Sequence, residues 1–295
     1  MSQYPTLKEL LDRGATVRTA GAHDGLSAIL AREAGFDAIW ASGFEISAAH
    51  GVPDANIVTM SENVQAASLM VECSGLPVIA DCDTGYGNAI NVIHTVRSYE
   101  RAGVSAICIE DNVFPKRCSF YVGVKRDLVD PEEHAGKIRA CIDTRKSSDF
   151  LIIARTEALI AGWGMDEALK RGRLYADAGA DMVLVHSKSK EPDEVLEFAR
   201  QWDRETPLVC VPTTYATTPY QVLAEAGFRV VIFANHGLRA SIKAMQQVFA
   251  RIHAEGHASA ADDIIVTLPE VYELIGVPEM KQQESLYMPP GGSEK

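Results

Sequence analysis

The sequence has few aromatic residues and no long apolar run. Aromatic residues make up 7% of the 295 residues, whereas 47% are hydrophobic, so the apolar content is mainly aliphatic and small. No apolar run approaches the roughly 20 residues that a membrane-spanning helix needs. The N-terminus, MSQYPTLKELLDRG, lacks the apolar segment of a signal peptide. We therefore expect a cytoplasmic protein with one large core or two modest domains.

The sequence also lacks net positive charge and paired cysteines. The formal net charge is −12, which argues against a nucleic-acid surface because such surfaces are basic. A local cluster of cations would still suffice to bind a small anionic substrate. The six cysteines include no C-x-x-C pair, which argues against a disulfide framework and against a zinc site.

One phrase recurs four times along the chain: a polar helical pattern, then Ala-Gly, then a short apolar run. It reads AREAGFDAIW, YERAGVSAICI, YADAGADMVLV and LAEAGFRVVIF. Gly after the last turn of a helix is typical of a helix end, so each phrase predicts a joint between a helix and a strand. Together with the apolar runs between them, the phrases predict eight strands, near residues 17–22, 37–42, 77–82, 106–110, 150–155, 181–186, 207–212 and 230–234.

Eight strands alternating with helices over about 250 residues indicate a (β/α)8 TIM barrel, with a doubly wound open sheet as the alternative. The barrel is favoured because polar residues follow nearly every strand, and strand ends converge on one mouth in a barrel. We expect one barrel domain with C-terminal helices over residues 1–285, and a disordered tail over 286–295. The polar residues at the strand ends are His23, Ser42, Asp81, Asp83, Glu110, Asp111, Arg155, Glu157, His186, Ser187, Thr213, Asn235 and His236.

Acidic residues at two neighbouring strand ends predict a metal site. The stretch VIADCDTGYGN places Asp81 and Asp83 at the end of an apolar run, and on a strand they would point to the same side. Glu110 ends the next apolar run. Converging carboxylates at such a position suggest Mg²⁺, which keeps several waters, so that one carboxylate binds directly and the others through water. Turn or capping roles are the alternative for each acid taken singly.

Other strand ends carry groups suited to an anion. Arg155 lies within the apolar IIART run and needs an anionic partner there, either a ligand or the carboxylates. His186 ends the sixth strand, and Ser42 with Gly43 could offer a hydroxyl and backbone N–H groups. The alternatives are a surface salt bridge for Arg155, a structural histidine and an ordinary turn. Asp54, in GVPDAN, is by default a turn residue.

The segment after Glu110 is long and irregular. It reads EDNVFPKRCSF and continues to Asp130, so it could be a mobile lid. Lys116 and Arg117 place cations beside Cys118, and cations lower the pKa of a thiol. Cys118 is thus a catalytic acid, a positioning group or a bystander. The TGYGN turn lacks the G-x-G-x-x-G spacing of a dinucleotide site.

These motifs resemble the phosphoenolpyruvate mutase/isocitrate lyase superfamily over essentially the whole chain. The matching pieces are WASGFE, GVPDAN, DCDTGYGN, the ED…PK loop, ARTEALIAGWG, VHSK and ANHGLRAS. Within the superfamily the chain looks most like the branch of phosphoenolpyruvate mutase and phosphonopyruvate hydrolase. The resemblance implies a Mg²⁺ enzyme that acts on a small anionic substrate, and a homotetramer whose barrels exchange their eighth helix.

The resemblance also implies roles for individual residues. Asp81 would bind Mg²⁺ directly, with Asp83 and Glu110 acting through water. Arg155 and His186 would contact the phosphonyl group, and Asp54 would position substrate and metal-bound water. Ser42 and the amides of Gly43 and Phe44 would hold the substrate carboxylate beside Trp40, while Lys116, Cys118 and Ser119 would lie on a gating loop.

One motif departs from the family pattern. Mutases have a loop resembling K-x-N-S, the hydrolase has Thr in place of that Asn, and lyases have KRCGH with Cys as general acid. Here the loop is Lys116-Arg117-Cys118-Ser119, a hybrid of these patterns. The first expectation is a phosphoenolpyruvate mutase, the second a phosphonopyruvate hydrolase, and the third a C–C lyase of the isocitrate or methylisocitrate type. A non-enzymatic binding barrel is a fourth reading, disfavoured by the many ionisable groups at the mouth.

Overall fold

The computed structural model describes residues 4–119, 123 and 127–288. Its centre is a closed barrel of eight parallel strands in chain order, β1 to β8. The ring closes where Val17 of the first strand lies opposite Val230 of the last. The strands are β1 Val17–Ala22, β2 Ala38–Ala41, β3 Val78–Asp81, β4 Ala106–Glu110, β5 Leu151–Thr156, β6 Met182–Val185, β7 Leu208–Cys210 and β8 Phe228–Phe233. The predicted barrel is confirmed.

Helices connect the strands and cover the outside of the barrel. The helices up to the end of the barrel are α1 Leu7–Asp12, α2 Gly25–Glu33, α3 Gly43–Ala49, α4 Met60–Ser74, α5 Ala89–Arg101, α6 Pro131–Thr144, α7 Ala158–Ala161, α8 Met165–Asp177, α9 Asp193–Arg200 and α10 Tyr220–Glu225. Their boundaries follow local chemistry. For example, Thr59 and Glu62 form a capping box at the start of α4, and Gly75 ends that helix with a positive φ of 66°.

The core has an inner and an outer part. The strands β3, β4 and β5 are buried at every residue, as expected for parallel strands covered on both faces. Inside the barrel, Trp40, Ile79 and Cys108 belong to one apolar cluster with Leu7 of α1. Two further clusters fill the space between strands and helices. This packing holds the strand ends rigidly, which is the requirement for a precise site at the mouth.

The chain divides into two compact units, residues 1–237 and 238–295. The second contains most of α11, His236–Glu255, then a short 3-10 helix, Ala258–Ala261, and the helices α12, Leu268–Leu274, and α13, Val277–Tyr287. Residues 286 and 287, where the expected disordered tail begins, belong to α13, and the tail itself stays a prediction. Residues 289–295 lie outside the described residues. The expected single domain and the exchanged eighth helix stay predictions.

Within the described part of the chain, no helix is long and apolar enough to cross a membrane. The cytoplasmic location expected from the sequence stays a prediction.

Candidate active site

The predicted metal residues lie together where β3 and β4 end. Asp81 is the last residue of β3, Glu110 is the last residue of β4, and both are buried. Asp83 lies past the strand with a positive φ of 53°, so strand alternation does not orient it, contrary to our reasoning. The turn brings it close instead: its N–H donates to Asp81 Oδ1 at 3.3 Å, and its carbonyl accepts from Glu110 N at 2.7 Å.

Lys116 reaches into this group of carboxylates from the loop after β4. Its ammonium nitrogen lies 2.7 Å from Asp83 Oδ1 and 2.9 Å from Asp54 Oδ2, and all three side chains are buried. Asp54 is therefore a partner of the loop lysine and not an isolated turn residue. The backbone N–H of Cys118 also donates to the carbonyl of Asp54 at 3.1 Å. These contacts hold the described part of the loop against the mouth.

Asn56 completes this contact, and our sequence analysis did not identify it. Its side-chain amide donates to Asp83 Oδ2, and its side-chain oxygen accepts from the Lys116 N–H, both at 2.6 Å. Asn56 has a positive φ of 56°, a conformation that Asn adopts more readily than most residues. The GVPDAN turn contained that signal, but nothing in the sequence indicated the partner.

A second buried cluster lies at the ends of β5 and β6. Arg155 donates from Nε to Glu157 Oε1 at 2.7 Å and from Nη2 to Ser119 Oγ at 3.0 Å. The Ser119 hydroxyl donates to Glu157 Oε2 at 2.7 Å. Nδ1 of His186 lies 2.8 Å from Arg155 Nη2 and 2.9 Å from Glu157 Oε1. Glu157 was one of the strand-end residues, but its central position was not predicted.

Burial and charge set the ionisation of this cluster. Burial opposes the charge of Glu157, yet Arg155 and His186 lower the pKa of its carboxyl below the ordinary value. Burial and the neighbouring Arg155 lower the pKa of His186, so the ring is neutral near pH 7. Nδ1 of the ring lies between a donor, the guanidinium of Arg155, and an acceptor, Glu157 Oε1, so the tautomer decides which of the two it binds.

The two clusters are joined by an ion pair. Nε of Arg155 lies 3.3 Å from Glu110 Oε2, and the amide of Asn112 donates to Glu110 Oε1 at 2.8 Å. The structure thus brings together the predicted residues Asp54, Asp81, Asp83, Glu110, Lys116, Ser119, Arg155 and His186.

The charge balance of the two clusters leaves room for a cation. The described residues of the two clusters contribute two permanent cations, Lys116 and Arg155. They also contribute five buried carboxylates, those of Asp54, Asp81, Asp83, Glu110 and Glu157. Burial raises the pKa of Asp83 to about 7 and that of Glu110 to about 8, although Lys116 and Arg155 act in the opposite direction. A divalent cation would favour the ionised form of both acids.

The acids lie close to the backbone at Gly43, where a side chain would crowd them. Gly43 lies next to them: a Cβ there would stand 3.2 Å from Asp83 Oδ1 and 3.5 Å from Asp81 Oδ2. Across the described residues, no three His, Cys, Asp or Glu side chains converge closely enough to hold a metal ion by themselves. A cation here would therefore take several ligands from water or substrate, as Mg²⁺ commonly does.

The start of α3 lies beside the acids. Ser42 is the N-cap residue of α3, and its hydroxyl accepts from Glu45 N at 3.3 Å. Gly43 is buried and Phe44 half-buried in the first turn, where backbone N–H groups of a helix are unpaired within the helix. Trp40 belongs to the inner core. Substrate contacts of these four residues stay predictions.

Glu45 is another buried acid that the sequence analysis missed. It is fully buried, and its Oε1 accepts from Asn235 N at 2.7 Å. Its Oε2 lies 3.5 Å from Nδ1 of His23. This carboxylate, with a further contribution from Asp24, raises the pKa of His23, although burial acts in the opposite direction. Glu45 thereby connects the start of α3 with the ends of β1 and β8.

Two expectations about the loop stay predictions. Cys118 is buried, 8% exposed, between Lys116 and Ser119, but no contact in the structure tests a role as acid. The proposed lid extends to Asp130, and residues 120–122 and 124–126 of it lie outside the described residues. Its two ends are described: Asn112 and Leu128 form an antiparallel bridge.

Comparisons with known proteins give one consistent set of relatives. The family model described as phosphoenolpyruvate phosphomutase matches residues 7–253. The chain is 44% identical to phosphonopyruvate hydrolase of Variovorax sp. (strain Pal2) over 98% of this chain and 100% of that protein. A solved structure of phosphoenolpyruvate phosphomutase from Streptomyces platensis subsp. rosaceus superimposes with a TM-score of 0.94 at 50% identity, covering 96% of this chain and 98% of the other. Phosphonopyruvate hydrolase in complex with oxalate and Mg²⁺ gives a TM-score of 0.91 at 43% identity, with coverage of 96% and 98%.

Proposed function

Because the chain belongs to the phosphoenolpyruvate phosphomutase family, we propose that it interconverts phosphoenolpyruvate and phosphonopyruvate in a Mg²⁺-dependent reaction. The observation that carries this proposal is the ion pair between Glu110 and Arg155, 3.3 Å long. It joins a carboxylate cluster suited to a metal ion with a guanidinium–imidazole pair suited to a phosphoryl group. Transfer of a phosphoryl group between oxygen and carbon of pyruvate needs both.

The carboxylate cluster is the proposed Mg²⁺ site. Asp81 would bind the ion directly, and Asp83 and Glu110 would bind it through water. When bound, the ion would supply positive charge that stabilises the enolate form of pyruvate. The complex of the related hydrolase with oxalate and Mg²⁺ supports this assignment.

The remaining residues would bind and orient the substrate. Ser42 and the amides of Gly43 and Phe44 would hold its carboxylate at the start of α3, beside Trp40. Arg155 would neutralise the phosphoryl oxygens and His186 would contact them, and Ser119 is already fixed 3.0 Å from Arg155. Phosphoryl transfer depends on such positioning and charge neutralisation more than on covalent chemistry.

Lys116, Asp54 and Cys118 would shield the reacting groups. Lys116 and Asp54 form a buried pair at 2.9 Å, and the loop that carries Lys116 lies over the acids. Exclusion of water matters because a free metaphosphate-like species would be hydrolysed. We therefore assign these residues to retention of the phosphoryl group.

The test is incubation with Mg²⁺ and phosphonopyruvate, followed by phosphorus NMR. Formation of phosphoenolpyruvate supports the mutase. Activity that persists in excess chelator would refute the metal site, and Asp81→Ala should abolish turnover.

Phosphonopyruvate hydrolase is the second candidate, supported by 44% identity over nearly the full length of both chains. Inorganic phosphate and pyruvate as the products would establish it. Absence of both reactions would favour a C–C lyase in which Cys118 protonates an enolate carbon. Cys118→Ser separates the cases, because a lyase would lose activity and a C–P enzyme without a thiol acid would keep it.

We also propose a homotetramer built by exchange of helices between barrels. Support comes from the second unit, in which Phe249 and Leu268 are each 66% exposed in the single chain. Large exposed apolar side chains such as these commonly mark an interface between chains. Sedimentation equilibrium measures the assembly, and a monomer at micromolar concentration would contradict it.

A further inference from the structure

Arg171 is a buried arginine of α8, a helix on the outside of the barrel. The residue is 1% exposed. Its Nη1 donates to Asp111 Oδ2 and to the carbonyl of Val129, each at 3.0 Å, and its Nε donates to Glu167 at 2.8 Å. The guanidinium carbon also lies 5.0 Å from the ring centre of Trp163. A planar guanidinium serves several partners in fixed directions, which a lysine does not.

Asp111 connects Arg171 to the candidate active site through hydrogen bonds. It is fully buried, and its Oδ2 also accepts from the hydroxyl of Tyr175 at 2.7 Å. Its other oxygen, Oδ1, accepts from the backbone N–H of Glu157 at 2.8 Å. The carboxylate of Glu157 binds Arg155, whose position it thereby fixes. One chain of charge-assisted contacts thus runs from α8 to the proposed phosphoryl site.

The same group fixes the base of the loop that carries Lys116 and Ser119. The carbonyl of Asp111 accepts from Val129 N at 3.0 Å, and Val113 N donates to the carbonyl of Asp127 at 3.2 Å. Arg171 binds the carbonyl of Val129 from the other side. Asp111 and Val129, the two ends of the segment, are therefore held by one guanidinium.

We propose that Arg171 is a positioning residue. It holds the base of the loop and Glu157 in the positions in which Arg155 can donate to Ser119. This inference rests on the proposed C–P activity for its catalytic consequence, though not for its structural one. Loss of the guanidinium would release the loop base and Glu157 from their present positions. We therefore expect lower kcat.

The test compares Arg171→Lys and Arg171→Met with Arg173→Lys and Arg173→Met. Arg173 lies two residues further along α8 and makes an exposed ion pair with Asp203, so it is a matched control. Arg171→Lys keeps the positive charge but loses the planar set of N–H donors of the guanidinium. We expect kcat of both Arg171 variants to fall about tenfold or more, as for residues that orient a site from behind. The Arg173 variants should match the parent.

Amide hydrogen exchange supplies a measurement that does not need activity. The N–H groups of Glu157 and Val129 both donate to Asp111, so they should exchange faster in the Arg171 variants, while amides of β1 and β2 keep their rates. Unchanged exchange at both amides would overturn the inference, and so would equal acceleration in every strand. Local acceleration with unchanged kcat would overturn the positioning role. If the parent does not react with phosphonopyruvate, local acceleration alone would still support the structural role while the proposed function fails.

Discussion

Glu157 is the residue at which the hydrogen bonds of the buried cluster at the ends of β5 and β6 meet. Its two oxygens contact Arg155, His186 and Ser119, and it is completely buried. Burial alone would favour a neutral acid, but the guanidinium keeps it ionised. The charge of this residue therefore holds together three groups that come from three different segments.

We predict that Glu157→Gln lowers kcat/KM by about 10–100-fold, the scale for replacing a group that orients the residues of a site. The substitution keeps the size of the side chain but presents N–H groups to donors. Steady-state kinetics with phosphonopyruvate measures the effect. Glu197→Gln is the control, because the Glu197 side chain pairs with Arg200 and Gln201 of the same helix end, away from the candidate active site. Equal kinetics of Glu157→Gln and the parent would contradict the assigned role.

Gly43 gives a separate test of the metal site. We predict that Gly43→Ala raises the half-saturating Mg²⁺ concentration about tenfold, the scale of substitutions next to metal ligands. The added Cβ would stand 3.2 Å from Asp83 Oδ1 and displace that carboxylate. Titration of activity with Mg²⁺ measures the change. A shift in kcat alone would argue against a cation between these acids.

At the scale of secondary-structure elements, the contact of β1 with the start of α3 requires a glycine, Gly21, in β1. A Cβ on Gly21 of β1 would lie 2.1 Å from Glu45 Oε1 and 2.9 Å from Asn235 N. We predict that Gly21→Ala lowers the free energy of unfolding by about 1–3 kcal/mol, the usual cost of overpacking. Urea unfolding followed by circular dichroism measures it.

Gly136→Ala is the matched control for this substitution. Gly136 lies inside α6, and the nearest atom to an added Cβ is Arg139 Nη2 at 3.9 Å. Ala is the better helix former by about 0.8–1.0 kcal/mol, so this variant should gain stability. A loss in both variants would mean that crowding at Glu45 is not the cause.

The strands were predictable from the sequence because each helix–Gly–strand joint is a local signal. The positions of four further residues at the barrel mouth could then be predicted, because each ends a strand or lies near its end. These residues are Asp81, Glu110, Arg155 and His186. Asn56 and Glu45 could not be predicted in the same way. Their partners, Asp83 and Asn235, are distant in sequence, and only the closed barrel brings them near. The position of Asp83 was also inaccessible, because a left-handed residue follows no strand periodicity.

For the molecule as a whole, acid stability depends on a buried histidine outside the site. His134 of α6 is fully buried, with its ring centre 4.6 Å from that of Tyr175. Burial, with Lys137 and Arg171, lowers its pKa to about 3. In the unfolded chain the pKa is about 6.5. Between these values the unfolded chain binds one more proton, so the free energy of unfolding falls as pH falls.

We predict that His134→Phe reduces this dependence by about 1.4 kcal/mol per pH unit between pH 6 and pH 4. The ring contact with Tyr175 is kept while the titrating group is removed. Asp83 and Glu110, whose pKa values are raised, act in the opposite direction, but they are common to variant and parent. Urea unfolding at several pH values measures both slopes, and identical slopes would exclude His134 as the source.

The pairing of Asp111 with Val129 and of Asn112 with Leu128 closes the intervening segment on its own base. Such a segment can change in sequence or length without disturbing the eight strands beneath it. Evolution can then replace it while the acids near Asp81 persist. We expect chimeras that carry the corresponding segment of a relative to fold normally. They should also give the reaction outcome of that relative, either retention of the phosphoryl group or its release to water.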